Sequence, residues 1–128
     1  MKKSFTLLEM LIVLGIIAVI LSVLTVSFST AQKKSRDAKR KSDLKSLQGA
    51  LEQYYSTCGY LYPTSIPSNG IFCGSNVIVS LPPVDPKTIT PYQFNPTLNP
   101  AGAGVGFRVC TNSLESESPT GFCVYSQQ

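Results

Sequence analysis

The stretch Phe5–Phe28, FTLLEMLIVLGIIAVILSVLTVSF, limits what this chain can become. It carries one charge, Glu9, near its start, and the next charged residue is Lys33. At roughly 20 helical residues, the run is long enough to cross a bilayer. Each of its Leu, Ile, Val and Phe side chains favours insertion by roughly 0.3–0.6 kcal/mol. The carboxylate opposes insertion by at most roughly 2.5–3.5 kcal/mol at the centre, and by less near an end. Insertion wins, and the presence of Glu9 is left to be explained.

The rest of the chain divides in two. All nine prolines lie at Pro63 or later, so the first 62 residues are free to form one helix. The remainder is rich in Pro, Gly, Ser and Asn, which reads as short strands and turns. With 128 residues there is room for one small domain beyond the apolar run. The positive charge sits mostly on Lys33, Lys34, Arg36, Lys39, Arg40, Lys41 and Lys45. From Ser46 onward, Lys87 and Arg108 stand against Glu52, Asp85, Glu115 and Glu117. The basic balance therefore describes a stalk rather than a nucleic-acid-binding domain.

Met1-Lys2-Lys3-Ser4 is a short basic leader. A secretory signal would have an apolar core of about 7–15 residues and a small-residue cleavage site after it. Here the core is longer and no such site follows, which leaves an uncleaved signal anchor as the simplest reading. The junction Lys2-Lys3-Ser4-Phe5-Thr6-Leu7-Leu8-Glu9, however, resembles the processing site of type IV pilins and type II secretion pseudopilins. Leader, Phe, Glu and apolar run all stand at that family's spacing, although Ser4 occupies the place where the family usually has Gly.

The resemblance implies cleavage between Ser4 and Phe5 by a prepilin peptidase, and N-methylation of the new Phe5 amine. Glu9, one helical turn on, would pair with the Phe5 amine of its own chain or of a neighbour, because a buried charge without a partner is strongly unfavourable. The plainer alternative is an acidic residue favoured by the helix dipole. Gly15 to Ser22 reads as the weakest part of the apolar helix, able to extend in a filament; Gly15 reads equally well as a packing notch.

Leu44, Leu47, Leu51, Tyr54, Tyr55 and Cys58 recur at helical spacing and need a partner surface. A helix from Phe5 to about Thr57 would be roughly 80 Å long. Its first half must be covered by lipid or by other subunits. The expected divisions are a leader at 1–4, the helix at 5–57 with its membrane or filament-core segment at 5–28, and a small domain at 58–128. Within that domain a connector at 58–91 precedes a β-sheet at 92–128. Strands are expected at about Tyr92–Asn95, Val105–Cys110 and Phe122–Ser126, and Asn76–Leu81 reads as a short strand or one helical turn. The expected fold class is α+β: a long helix, apolar then amphipathic, packed on a small antiparallel sheet in the manner of a pilin.

Four cysteines, with no C-x-x-C pair and no histidine, make a zinc site improbable and suit disulfides in a domain outside the cytoplasm. Three pairings are open. The expected one joins Cys58 to Cys73 and Cys110 to Cys123; the second bond resembles the C-terminal disulfide loop of many type IV pilins. Two basic residues precede the span and seven follow it, so the positive-inside rule alone would keep the domain in the cytoplasm. The resemblance and the cysteines outweigh that rule.

The basic segment Thr30–Lys45 reads as a contact for anionic lipid headgroups or as a solvated helix face. A nucleic-acid role draws little support, since no aromatic side chain interleaves there. Catalysis has no candidate residues: without His there is no triad, and no phosphate-binding loop is present. Asp85, Glu115 and Glu117 are scattered and compose no oxygen-ligand loop for calcium; no metal and no cofactor is expected. The function implied is a structural subunit of a type IV pilus or related filament. The implied partners are further copies of itself, the prepilin peptidase, an assembly ATPase and a platform membrane protein. A pseudopilin of a secretion or DNA-uptake machine, and a membrane-anchored binding protein that never polymerises, are the alternatives. The Cys110–Cys123 loop leans toward a pilus, whereas Asp85-Pro86 and Pro91-Tyr92 resemble a stretch of pseudopilins.

Overall fold

The computed structural model describes residues 5–117 and 121–128, with the side chains of 24–27 left out of the description. One helix, α1 (Leu7–Thr57), is followed by β1 (Ile71–Cys73), β2 (Asn76–Val79), β3 (Gln93–Leu98), β4 (Gly104–Cys110) and β5 (Cys123–Tyr125). This is the α+β arrangement expected: a long N-terminal helix against small antiparallel sheets.

The helix starts at Leu7 rather than Phe5. Thr6 is its N-cap, in extended conformation, and its hydroxyl accepts from the Glu9 N–H at 3.3 Å. An N-cap side chain satisfies one of the donors that the first helical turn leaves unpaired. The helix also ends earlier than Pro63 requires. Gly59 has φ +78°, and the Tyr60 N–H reaches back to the Tyr55 carbonyl at 3.0 Å. This is the Schellman closure, which favours Gly because the left-handed conformation clashes with a Cβ. The Tyr55 and Tyr60 rings meet edge to face across it, 5.6 Å apart.

Among the described residues, only the second half of α1 is covered. Leu44, Leu47 and Leu51 are buried against Tyr62, Ile71, Tyr92, Phe107, Val109 and Val124, with Tyr54 and Tyr55 packed at the margin. Burying a leucine contributes about 1.5–3 kcal/mol. Tyr62 lies at the centre of the aromatic contacts, stacked on Tyr55 at 4.7 Å and edge-on to Phe107 at 5.0 Å. Its N–H donates to the Gly104 carbonyl at 2.8 Å, and a Cβ on Gly104 would collide with the Tyr62 carbonyl.

β4 is the middle strand of an antiparallel β3-β4-β5 sheet. Along it Phe107, Val109 and Cys110 are buried and Val105 and Arg108 are exposed. Pro96 sits opposite Phe107 in β3, a position an edge strand tolerates because only one side needs donors. The expected strands are all present, with shifted bounds. The connector differs from its expected form. Ile71–Cys73 pairs with Asn76–Val79 in a separate two-stranded sheet, turning at Gly74 with φ +60°. Cys58 is bonded to Cys73, which ties this hairpin to the helix end, and Cys110 is bonded to Cys123 directly across β4 and β5.

The basic segment also departs from the uniform charged face read from the sequence. Arg40, only 3% exposed, lies on the buried side of α1 together with Asp37 and Asp43. Its guanidinium donates to Asp85 Oδ2 at 2.6 Å and to Asp37 Oδ1 at 2.8 Å, and approaches Glu115 Oε1 at 3.0 Å. Arg36 makes a two-pronged contact with Glu115 at 2.9 and 2.7 Å. Asp37 receives the Glu115 and Ser116 N–H groups and the Ser116 hydroxyl, which docks the 111–117 stretch onto the helix. Lys41 pairs with Glu117, Lys39 with Asp43, and Lys87 with Glu115. The Tyr92 hydroxyl donates to Asp43 at 3.0 Å.

These contacts set the protonation states. Burial pushes the Asp37 carboxyl up, but the Ser116 hydroxyl, the backbone N–H groups of Glu115 and Ser116, and Arg40 together hold it well below the usual carboxylate range. Arg40 and two backbone N–H groups do the same for Asp85. The Arg36 and Arg40 guanidinium groups bring Glu115 down to about 2. Burial, reinforced by Asp43, raises the Tyr92 phenol, so it stays a donor.

Three outcomes follow for the full chain in detergent. Leu51→Ala should lower stability by about 2–5 kcal/mol in thermal unfolding, as deletion of a fully buried leucine does. Three carboxylates with lowered values give stability that is whole above the unfolded carboxylate range, about pH 4, and is lost as the pH falls toward 2. The melting temperature should therefore hold steady from neutrality to about pH 5 and drop below about pH 4. Asp37→Ala should flatten that acid limb and cost about 3–5 kcal/mol at neutral pH, since it strips a partner from buried Arg40.

Candidate functional site

The residues singled out for processing and assembly lie at the free end of α1. Ser4 is outside the described residues, as are Lys2 and Lys3. Phe5 is 72% exposed and precedes the helix, joined to it through the extended Thr6. Glu9 is exposed on the first turn, and its carboxylate has no partner among the described residues. In this chain, where Phe5 is still in peptide linkage to Ser4, the two expected partners are therefore not brought together. Instead Thr6-Leu7-Leu8-Glu9 has the spacing of a capping box, with Thr6 at the cap and Glu9 at the third helical position. The T-x-x-E pattern was available in the sequence to signal this cap.

Beyond Glu9 the helix is apolar on every side. One 18-residue window has a mean hydropathy of 2.9, and none of it is buried within the subunit. Leu7, Leu11, Leu14, Val19 and Val23 all face outward. Helices that are hydrophobic all round belong in a membrane or in the middle of a larger assembly. Within the single subunit, Gly15–Ser22 is continuous helix, with the Ser22 hydroxyl donating to the Val19 carbonyl at 2.7 Å.

Below the apolar run the charges separate into two groups. Arg36, Lys39, Arg40, Lys41 and Lys87 are matched by Asp37, Asp43, Asp85, Glu115 and Glu117. Glu52 accepts from the Tyr62 hydroxyl and the Gln127 N–H. Lys33, Lys34, Lys45 and Arg108 are exposed and have no partner among the described residues. Asp85 and Glu115, read from the sequence as scattered acids, converge on one arginine. Nothing in their local sequence announces this, because they lie 45 and 75 positions from it. Each carboxylate of this group is turned to a cation or a donor of its own chain. The group is thus built to hold the domain on the helix.

No curated protein and no solved structure matches the chain. Residues 1–25 match a family described as the prokaryotic N-terminal methylation motif. The match covers the leader, Phe5, the Thr6 cap, Glu9 and most of the uncovered apolar helix. Over 1–25 this chain carries the prepilin-type motif of type IV pilins and pseudopilins.

Proposed function

We propose that this chain is a structural subunit of a type IV pilus or a related filament. A prepilin peptidase cuts it between Ser4 and Phe5 and methylates the Phe5 amine. The observation that carries this reading is a methylation motif running straight into a helix whose apolar side chains are left uncovered among the described residues. Before assembly the segment 5–28 sits in the cytoplasmic membrane. In the filament, the helices of other copies replace lipid around it, and the small domains face out. The free Glu9 carboxylate then serves as the register device: a copy settles where Glu9 meets a Phe5 amine, because a carboxylate buried without a cation is strongly unfavourable. Extraction from the membrane draws on an assembly ATPase and a platform membrane protein.

Placement of the domain outside the cytoplasm is supported by the absence of free cysteines. Four of the seven basic residues after the span are also matched within the folded chain, which weakens the opposing charge argument. The pseudopilin reading is favoured by one observation of its own. Asp85 and Tyr92, at the two ends of the stretch that resembles pseudopilins, are both fastened to α1, through Arg40 and Asp43.

Mass spectrometry of the mature protein from its host should find N-methyl-Phe5 as the first residue. An intact Met1 would leave a membrane-anchored protein that does not polymerise. Glu9→Gln should still be processed but should weaken subunit association by about 3 kcal/mol, roughly a hundredfold, so that filaments are lost from electron micrographs. Normal filaments in that variant would refute the pairing.

A further inference from the structure

We propose that Lys33 and Lys34 form an anionic-lipid contact that holds the unassembled subunit at a fixed depth, and that the remaining stalk cations take no part in it. The proposal rests on the reading of 5–28 as a membrane span and assigns a role to residues just beyond it.

The argument begins with the charge inventory. Five cations and five carboxylates at the helix–domain junction cancel within the chain: Arg36, Lys39, Arg40, Lys41 and Lys87 against Asp37, Asp43, Asp85, Glu115 and Glu117. This half of the domain approaches the membrane as a neutral body. The uncompensated charge of the stalk is then Lys33 and Lys34, with Lys45 further along.

A second copy offers a poor partner. Of the seven Asp and Glu side chains, five are paired with cations within the subunit, Glu52 accepts from the Tyr62 hydroxyl and the Gln127 N–H far along the helix, and Glu9 lies at the far end of the apolar run. A nucleic acid fits poorly, because no aromatic side chain lies between Phe28 and Tyr54 on which a base could stack. Distance along the helix favours lipid. At 1.5 Å per residue, Lys33 and Lys34 stand about 7–9 Å beyond Phe28. The polar layer of a bilayer extends about 5–7 Å beyond the hydrocarbon on each side, and a lysine stem reaches back across the difference with its ammonium among the phosphates. Lys45 stands about 25 Å beyond Phe28, outside that layer. The lysines thus meet a lipid phosphate, and the neutral cluster that starts at Arg36 lets the domain sit directly on the surface.

The test uses the full chain in neutral detergent, with phosphatidylglycerol and phosphatidylcholine added as competing probes and bound lipid read by native mass spectrometry. The wild-type chain should retain phosphatidylglycerol in preference. Lys33→Gln with Lys34→Gln should reduce that preference by about 30-fold, at about fivefold per lysine near an anionic surface. Lys45→Gln should leave it unchanged. The proposal is overturned if the double variant keeps the wild-type preference, or if Lys45→Gln costs as much. Tighter binding of a short single-stranded oligonucleotide through the same two lysines would also overturn it, assigning the patch to nucleic acid. None of these failures touches the processing reading, which is decided at Phe5.

Discussion

A helix of 51 residues is attached to a domain that covers only its second half. At 1.5 Å per residue the uncovered part, from Leu7 to about Thr30, is roughly 35 Å long. No rearrangement of the remaining 70 or so residues could sheathe it while also building a core. Outward-facing leucine, isoleucine and valine there are tolerable only in hydrocarbon or among other copies of the same rod. The domain's small size, the position of its core and the uncovered methylation motif all express that one imbalance.

The junction between rod and domain is held by charge as well as by apolar contact. Asp37, Arg40 and Asp43 occupy the buried side of the helix with Leu44, Leu47 and Leu51, nearer its apolar end. There the strands no longer reach, and the segments packed on the helix are the loops around Asp85 and Glu115. Loops bring backbone N–H groups and carboxylates rather than methyl groups, so the helix answers with Asp and Arg. Buried pairs of this kind often contribute little net stability over an apolar substitute, but they penalise any misplacement strongly. The Asp37 contacts with Glu115 and Ser116 fix where residues 111–117 lie. Arg40 is buried, and Arg36, Lys39 and Lys41 are neutralised by ion pairs, so much of the basic stalk disappears as a field once the chain folds.

The legible parts of the fold were those with a short-range period. The leucines at 44, 47 and 51 announced a buried face, and the alternation of Val105–Cys110 announced the central strand. The polar continuation of that buried face was not legible, since Asp37 and Arg40 look like any solvated pair at helical spacing and their partners lie far along the chain. Ile71–Cys73 escaped notice because three residues show no alternation, and its pairing depends on a turn at Gly74. The helix starts later than the apolar run for a different reason. Phe5 extends the apolar run, but Thr6 has the hydroxyl that the first turn needs, and capping decided the boundary. At the site itself, Glu9 is visible as an anomaly of composition, and no partner for it lies among the described residues.

The domain is fastened to the rod at two places: the charge cluster around residues 36–43, and the bond between Cys58 and Cys73 about 25 Å further along the helix axis. A lobe attached at one end peels away contact by contact when its support is pulled. One anchored at both ends must shear its contacts together. Tension travelling along a bundle of such rods would therefore load each lobe in its tougher direction, with a covalent rivet at the tip and an ionic one at the base.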